Sequence, residues 1–135
     1  MMNLEGLTET RDCYCLAARR EARAITRLYD EALRPVGLKS TQFSVLAALA
    51  QMKTSTLTPL ADLLGVERTT LTRSTRLLEE RGLLETVDTD DARERRLRLT
   101  PAGIAELEGA LPLWRVVQRR LAGEGEPAAV NPAAS

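Results

Sequence analysis

The segment that most constrains the fold is Leu60-Ala-Asp-Leu-Leu-Gly-Val-Glu-Arg-Thr-Thr-Leu-Thr-Arg73. Its apolar spacing predicts a short helix that stops at Gly65, followed by a longer helix at 67–81. The small Ala61 lets the two helices cross closely, and Gly65 allows a tight turn at positive φ. Leu71 then anchors the longer helix in the core. The pattern therefore predicts a helix-turn-helix.

The longer helix has two chemically different sides. With about 100° of rotation per residue, its inner side holds Leu71, Ser74, Thr75 and Leu78. Its outer side contains no acid and consists of Thr69, Thr72, Arg73 and Arg76, flanked by Arg68 and Thr70 near the helix N-terminus. Arginine can bind guanine with two hydrogen bonds, threonine can contact phosphate or a thymine methyl group, and helix N-termini favour phosphate. This side is typical of a surface that enters the DNA major groove, although a solvated surface helix has the same composition.

A β-hairpin with a long charged tip is predicted to follow this helix. Its strands lie at 83–87 and 97–99, joined by Asp88-Thr-Asp-Asp-Ala-Arg-Glu-Arg-Arg96. A loop of mixed charge is usually only solvated, but a narrow minor groove also attracts arginine. The candidate DNA-binding residues of this wing are Arg93, Arg95 and Arg96. Asp91 is predicted to support a neighbouring arginine through a charge-assisted hydrogen bond.

Helices are predicted before this unit. Residues 1–10 form an N-terminal arm, and a first helix at 11–33 ends before Pro35 and Gly37. Ser40 is predicted to cap a second helix that reaches about residue 52. Leu57 is assigned to a one-residue strand, and Thr58 to the cap of the short helix that precedes Gly65.

A last helix is predicted from Thr100, as its cap, and Pro101, at its first position. Its apolar seam consists of Ile104, Leu107, Leu111, Trp114 and Leu121. Pro112 should interrupt and kink this helix, because an interior proline removes a hydrogen bond. The segment 123–135 is rich in glycine, proline and alanine, which predicts disorder.

Composition excludes several functional classes. The 135 residues favour one domain, and 19 basic against 19 acidic residues exclude a wholly basic nucleic-acid binder but not a local basic patch. The absence of histidine removes Ser-His and Cys-His catalysis and most zinc sites. We therefore expect no enzyme activity, no cofactor and no metal. We also expect a cytoplasmic protein, because no apolar stretch is long enough for a membrane span and no signal peptide is recognisable.

Several of these motifs together resemble the MarR family of bacterial regulators. They are the segment quoted first, the exit Leu77-Leu-Glu-Glu-Arg-Gly-Leu83, the wing Asp91-Ala-Arg-Glu-Arg-Arg96 and the start Leu99-Thr-Pro-Ala-Gly103 of the last helix. The resemblance implies a mainly α fold with a small β-hairpin wing, a dimeric winged helix-turn-helix at 11–122, with dimerisation helices at 11–34 and 101–122. It also implies a repressor that binds a palindromic operator in double-stranded DNA as a homodimer. A small-molecule inducer or an oxidant would release it. One departure is that 123–135 holds no amphipathic helix where the family completes its dimer interface.

Cys13 and Cys15 are the candidate sensors. Both are assigned to the start of the first helix, where residues two apart point about 200° away from each other and are poor disulfide partners. A thiol near a helix N-terminus and near Arg11 is favoured as the reactive thiolate. The segment from Cys15 to Tyr29 also resembles the organic-peroxide-sensing branch of the family, except that Arg19 replaces its second tyrosine. Organic hydroperoxide sensing, metal or metalloid sensing, and a small buried hydrophobe all stay open.

A second interpretation of the whole chain also stays open. Winged helices can bind proteins instead of DNA, and a net charge of zero is compatible with a protein-interaction module that has no specific DNA binding.

Overall fold

The computed structural model describes residues 2–91 and 93–123. Its helices are α1 (Tyr14–Ala32), α2 (Ser40–Met52), α3 (Leu57–Leu64), α4 (Arg68–Glu80) and α5 (Pro101–Leu121), and short 3-10 turns cover Leu7–Asp12 and Arg34–Val36. Its strands are β1 (Ser55–Thr56), β2 (Leu84–Val87) and β3 (Arg96–Leu99). The predicted mainly α fold with a β-hairpin wing is confirmed. The predicted disordered tail lies outside the described residues, except for Gly123.

The strands form one antiparallel sheet in the order β1-β3-β2. Leu97 in the central strand pairs with Thr86 of β2 on one side and with Ser55 of β1 on the other. Leu97 has no exposed surface, whereas the next residue, Arg98, is exposed, as the two-residue alternation of a strand requires. One face of the wing therefore covers the core.

The helix-turn-helix is confirmed, including the positions of Ala61, Gly65 and Leu71. Ala61 is buried, and Gly65 ends α3 with a φ of 65°. The amide of Val66 donates to the carbonyl of Ala61 at 3.2 Å, so the turn satisfies a helix carbonyl that would otherwise lack a partner. Leu71 has no exposed surface and fixes α4 against the core.

The start of α3 differs from the prediction. The strand lies at Ser55–Thr56, not at Leu57, and the helix begins at Leu57 with Thr56, not Thr58, as the residue before it. Thr56 has an extended backbone and ends the strand, while Leu57 is buried as the first helical residue. The apolar character of Leu57 therefore reflects contact with the core and not membership of a strand.

The starts of α1 and α2 also differ. Helix α1 begins at Tyr14 and not at residue 11, because Cys13 has an extended backbone (φ −61°, ψ 120°). Lys39, not Ser40, precedes α2, and its amide donates to Oε1 of Gln42 at 2.9 Å. The amide of Ser40 donates to Oδ1 of Asp30 at 2.7 Å, so a side chain of α1 also satisfies this helix start.

Helix α5 is continuous, so the predicted interruption at Pro112 is wrong. Leu111, Leu113 and Trp114 pack against the core on both sides of the proline and hold the two halves in one helix. The predicted seam is only partly internal. Leu107 is buried, but Ile104 and Leu121 are exposed within this chain.

The wing and α5 meet at the segment from Thr100 to Gly103. The Thr100 hydroxyl donates to the carbonyl of Gly82 at 2.6 Å and accepts from the amide of Gly103 at 3.0 Å, which confirms its predicted role as helix cap. The Thr100 amide donates to the carbonyl of Leu83 at 3.1 Å. A Cβ atom on Gly103 would lie 2.1 Å from that same carbonyl oxygen. Only glycine therefore fits this position without a backbone shift.

The Gly103→Ala substitution is expected to lower the free energy of unfolding by roughly 1–3 kcal/mol, because the added methyl group collides with the backbone of Leu83. Gly109→Ala is the matched control on the same helix, since a Cβ there has no neighbour within 4 Å. It should raise the free energy of unfolding by about 0.5–1 kcal/mol. Urea denaturation followed by circular dichroism at one protein concentration compares the two. Equal stability of both variants would contradict the close approach.

Candidate DNA interface

Helix α4 separates its apolar and polar residues as predicted. Leu71, Thr75 and Leu78 are fully buried. The opposite side forms a shallow groove of about 500 Å³ whose lining residues are Arg68, Thr69, Thr72, Arg73 and Arg76. Thr70, the remaining predicted residue of this helix, is exposed beside the groove. The structure therefore brings five of the six predicted α4 residues to one concave surface that contains no acid.

The first turn of α4 has a different electrostatic character. Glu67 directly precedes the helix, and a second groove of about 390 Å³ next to it is also lined by Asp62 and Arg68. These two acids border the α3 side of the surface and repel phosphate there. Arg68 lines both grooves and lies between the acidic border and the basic side of α4.

Arg93 at the wing tip extends into solvent, with 95% of its side chain exposed. Asp91 holds the backbone beneath it, because Oδ1 of Asp91 accepts a hydrogen bond from the Arg93 amide at 2.9 Å. The same carboxylate lies 3.7 Å from Nε of Arg93. Asp91 thus lies where the sequence predicts its support, and the Arg93 guanidinium keeps most of its donors free.

Arg95 and Arg96 are engaged within the chain. Arg95 forms an ion pair with Glu79 near the end of α4. Arg96 donates from Nε to Glu94 at 2.9 Å and from Nη1 to the hydroxyl of Thr54 at 3.1 Å. The three predicted wing arginines therefore differ in their surroundings, and DNA contact by Arg95 and Arg96 stays a prediction. Sequence reasoning missed Glu79, since its partner lies sixteen positions away across a loop.

The assignment of both cysteines to a helix is wrong for one of them. Cys13 precedes α1 with an extended backbone, so the 200° separation of helical positions does not apply to this pair. Both thiols are exposed within the single chain, so no described residue of the same chain buries them. Nη2 of Arg19 lies 3.2 Å from Sγ of Cys15. This contact was missed, although the four-residue spacing on a helix indicates it.

Tyr29 lies at the junction of α1 and α5. Its hydroxyl donates a hydrogen bond to Oε1 of Gln118, a partner that no local pattern predicts. Burial raises the pKa of Tyr29, because the surrounding protein disfavours the phenolate.

Two small depressions lie on either side of an aromatic pair. The rings of Phe43 and Trp114 stack with centroids 5.8 Å apart. One depression, of about 250 Å³, is lined by Tyr29, Leu33, Ser40, Phe43, Ser44 and Trp114. The other, of about 410 Å³, is lined by Phe43, Ser44, Ala47, Ala48, Gln51, Met52, Leu63, Leu64 and Trp114. Apolar walls with a few hydroxyl and amide groups are typical of sites for small organic molecules.

Within 2–91 and 93–123, no group of three or more cysteine, aspartate or glutamate side chains is arranged to hold a metal ion. No helix in the same part of the chain is long and apolar enough to span a bilayer.

Comparison with known proteins places this geometry in a family. A model of the MarR family matches residues 36–97. The transcriptional regulator MosR of M. tuberculosis, solved in complex with DNA, is 46% identical with a TM-score of 0.75, and the match covers 82% of this chain and 81% of that one. YwoH of Bacillus subtilis, an uncharacterized HTH-type transcriptional regulator, is 38% identical over 79 residues, and the match spans only 58% of its length and 58% of this chain.

A more distant structure agrees on the fold. A MarR variant from E. coli in complex with operator DNA has a TM-score of 0.74 at 23% identity, with 89% of both chains covered. The family match, the MosR likeness and the observed winged helix-turn-helix are mutually consistent. This chain belongs to the MarR family of transcriptional regulators.

Proposed function

We propose that this chain is a homodimeric repressor that binds a palindromic operator in double-stranded DNA and is released by a small ligand or by thiol oxidation. The observation that carries the proposal is the groove on α4, whose lining is entirely threonine and arginine. This groove is open to solvent, so a large polyanion can reach all five of its hydrogen-bond-donating side chains. The two similar proteins solved with DNA support the same interpretation.

In this proposal, α4 lies in the major groove and the wing reaches the adjacent minor groove. Arg73 and Arg76, which lie on the outer side of α4 with their side chains exposed, contact base edges or phosphates. Arg93 enters the minor groove, whose negative potential attracts an exposed guanidinium. The local positive charge, and not the net charge of zero, drives association.

The homodimer accounts for the surface that α1 and α5 leave uncovered. No residue of α1 is buried within the chain, although the helix has apolar residues such as Leu16 and Ile25. On α5, Ile104 and Val116 are 49% and 58% exposed. Apolar helix faces of this kind are normally covered by protein. A second copy related by a twofold axis covers these faces. The dimer then presents one α4 to each half-site of a palindromic operator.

Two sites are proposed for release. The depressions beside Phe43 and Trp114 offer apolar walls to a small organic inducer. The exposed thiol of Cys15 lies 3.2 Å from the guanidinium of Arg19, and an exposed thiol is accessible to an organic hydroperoxide. Both sites involve α1, α2 or α5, so a change at either one alters the separation of the two DNA-binding helices.

DNA binding is tested by fluorescence anisotropy with the DNA upstream of the protein's own gene, measured in a series of salt concentrations. We expect specific binding with a steep loss of affinity as salt rises. Arg73→Ala should weaken binding to the specific sequence by about 1–3 kcal/mol, or roughly 5- to 150-fold. Arg34→Ala is the matched control, because it removes another exposed arginine that lies outside α4 and the wing. Equal loss in both variants would favour non-specific attraction, and no specific binding at all would favour a protein-interaction module.

Redox release is tested by adding a near-stoichiometric organic hydroperoxide to the protein–DNA complex. We expect the wild-type protein to dissociate and the Cys15→Ser protein to stay bound, because serine cannot form an oxidised sulfur species. Cys13→Ser is the comparison for the other exposed thiol, and mass spectrometry identifies the oxidised product. A Cys15→Ser protein that dissociates as fully as the wild type would rule out Cys15 as the sensor.

A further inference from the structure

One carboxylate at the end of α4, that of Glu79, contacts the wing at two places. Glu79 lies in the last turn of α4, and its two oxygens have different partners. Oε1 forms the ion pair with Arg95, and Oε2 accepts a hydrogen bond from the Thr86 hydroxyl at 3.2 Å. Thr86 lies in β2 and Arg95 directly precedes β3. Glu79 therefore contacts both sides of the hairpin at once.

This contact is partly shielded from water. The Glu79 side chain is 23% exposed and that of Arg95 is 37% exposed, whereas Arg93, two residues away, is almost fully exposed. Arg93 and Arg95 are therefore the same residue type, only two positions apart, but they differ strongly in exposure to solvent. A half-buried pair loses less of its attraction to solvent and salt than a fully exposed pair.

From this arrangement, and resting on the proposed function, we infer that Glu79 and Arg95 are positioning residues for DNA binding. They fix the loop end of the hairpin against α4, so that Arg93 reaches the minor groove when α4 occupies the major groove. The described residues between Val87 and Arg96 lie outside the strands, and holding a loop residue in one conformation costs conformational entropy. The Glu79 contact orders one end of this loop before DNA arrives.

A positioning role for Glu79 and its negative charge predict opposite effects on DNA binding when Glu79 is replaced. An acid close to a DNA-binding surface repels phosphate, so replacing it with a neutral residue should strengthen binding. If Glu79 instead positions the wing, Glu79→Gln should weaken binding to the specific sequence, by about fivefold. Glu80→Gln is the matched control. Glu80 is the next residue of α4, is exposed, and forms no ion pair with the described residues.

The experiment compares wild type, Glu79→Gln, Glu80→Gln, Arg93→Ala and the double variant Glu79→Gln/Arg93→Ala by anisotropy on the same DNA. Glu79→Gln should weaken binding, and Glu80→Gln should leave it equal or tighter. In the Arg93→Ala background, Glu79→Gln should have no further effect, because the side chain that it positions is gone. Arg95→Gln should likewise weaken binding in the wild-type background and have no further effect in the Arg93→Ala background. Thermal unfolding checks that each variant is folded.

Three results would overturn the inference while leaving the proposed function in place. They are a Glu79→Gln protein that binds as tightly as Glu80→Gln, an undiminished loss from Glu79→Gln in the Arg93→Ala background, and an undiminished loss from Arg95→Gln in that same background. The last result would make Arg95 a direct phosphate contact. Failure of the wild-type protein to bind any DNA would overturn the proposed function and this inference together.

Discussion

Leu71 and Leu78 have no contact with solvent, and their burial sets the orientation of α4. They lie seven residues apart, or about two helical turns, so together they fix one side of the helix against the core. Every residue on the opposite side is then held outward, whatever its own preference. The groove lined by arginine and threonine faces outward because the apolar side of α4 is anchored in the core. The orientation of these polar side chains therefore depends on the packing of Leu71 and Leu78.

Contacts made by the residues directly after α4 link its orientation to the wing and to α5. The Leu83 carbonyl, just after α4, accepts the Thr100 amide and lies where a side chain on Gly103 would otherwise be. Arg81, at the end of α4, donates to the carbonyl of Gly37 at 2.9 Å and pairs with Glu106 of α5 at 2.5 Å. Helix α4, the wing and α5 therefore meet at one junction, through which a shift of α5 would reach α4.

The sequence allowed the helix-turn-helix to be predicted because its signals are local. Ala61, Gly65 and Leu71 each have a conformational or packing requirement that few other residues meet. The errors occurred where tertiary contact decides the outcome. Leu57 is apolar because it begins a helix against the core, and the extended backbone of Cys13 delays α1. Neither the core contact of Leu57 nor the extended backbone of Cys13 produces a periodic pattern in the sequence.

The wing shows the same limit for the candidate site. Arg93, Arg95 and Arg96 are chemically identical and nearly adjacent, so composition assigns them one role. Their partners separate them: Asp91 lies beneath an exposed Arg93, Glu79 holds Arg95, and the remaining arginine is paired with Glu94. A count of arginines therefore overstates the charge available to phosphate, because each internal carboxylate neutralises one guanidinium. In a chain with zero net charge, the acids that accompany the basic surface determine which arginines remain free to bind DNA.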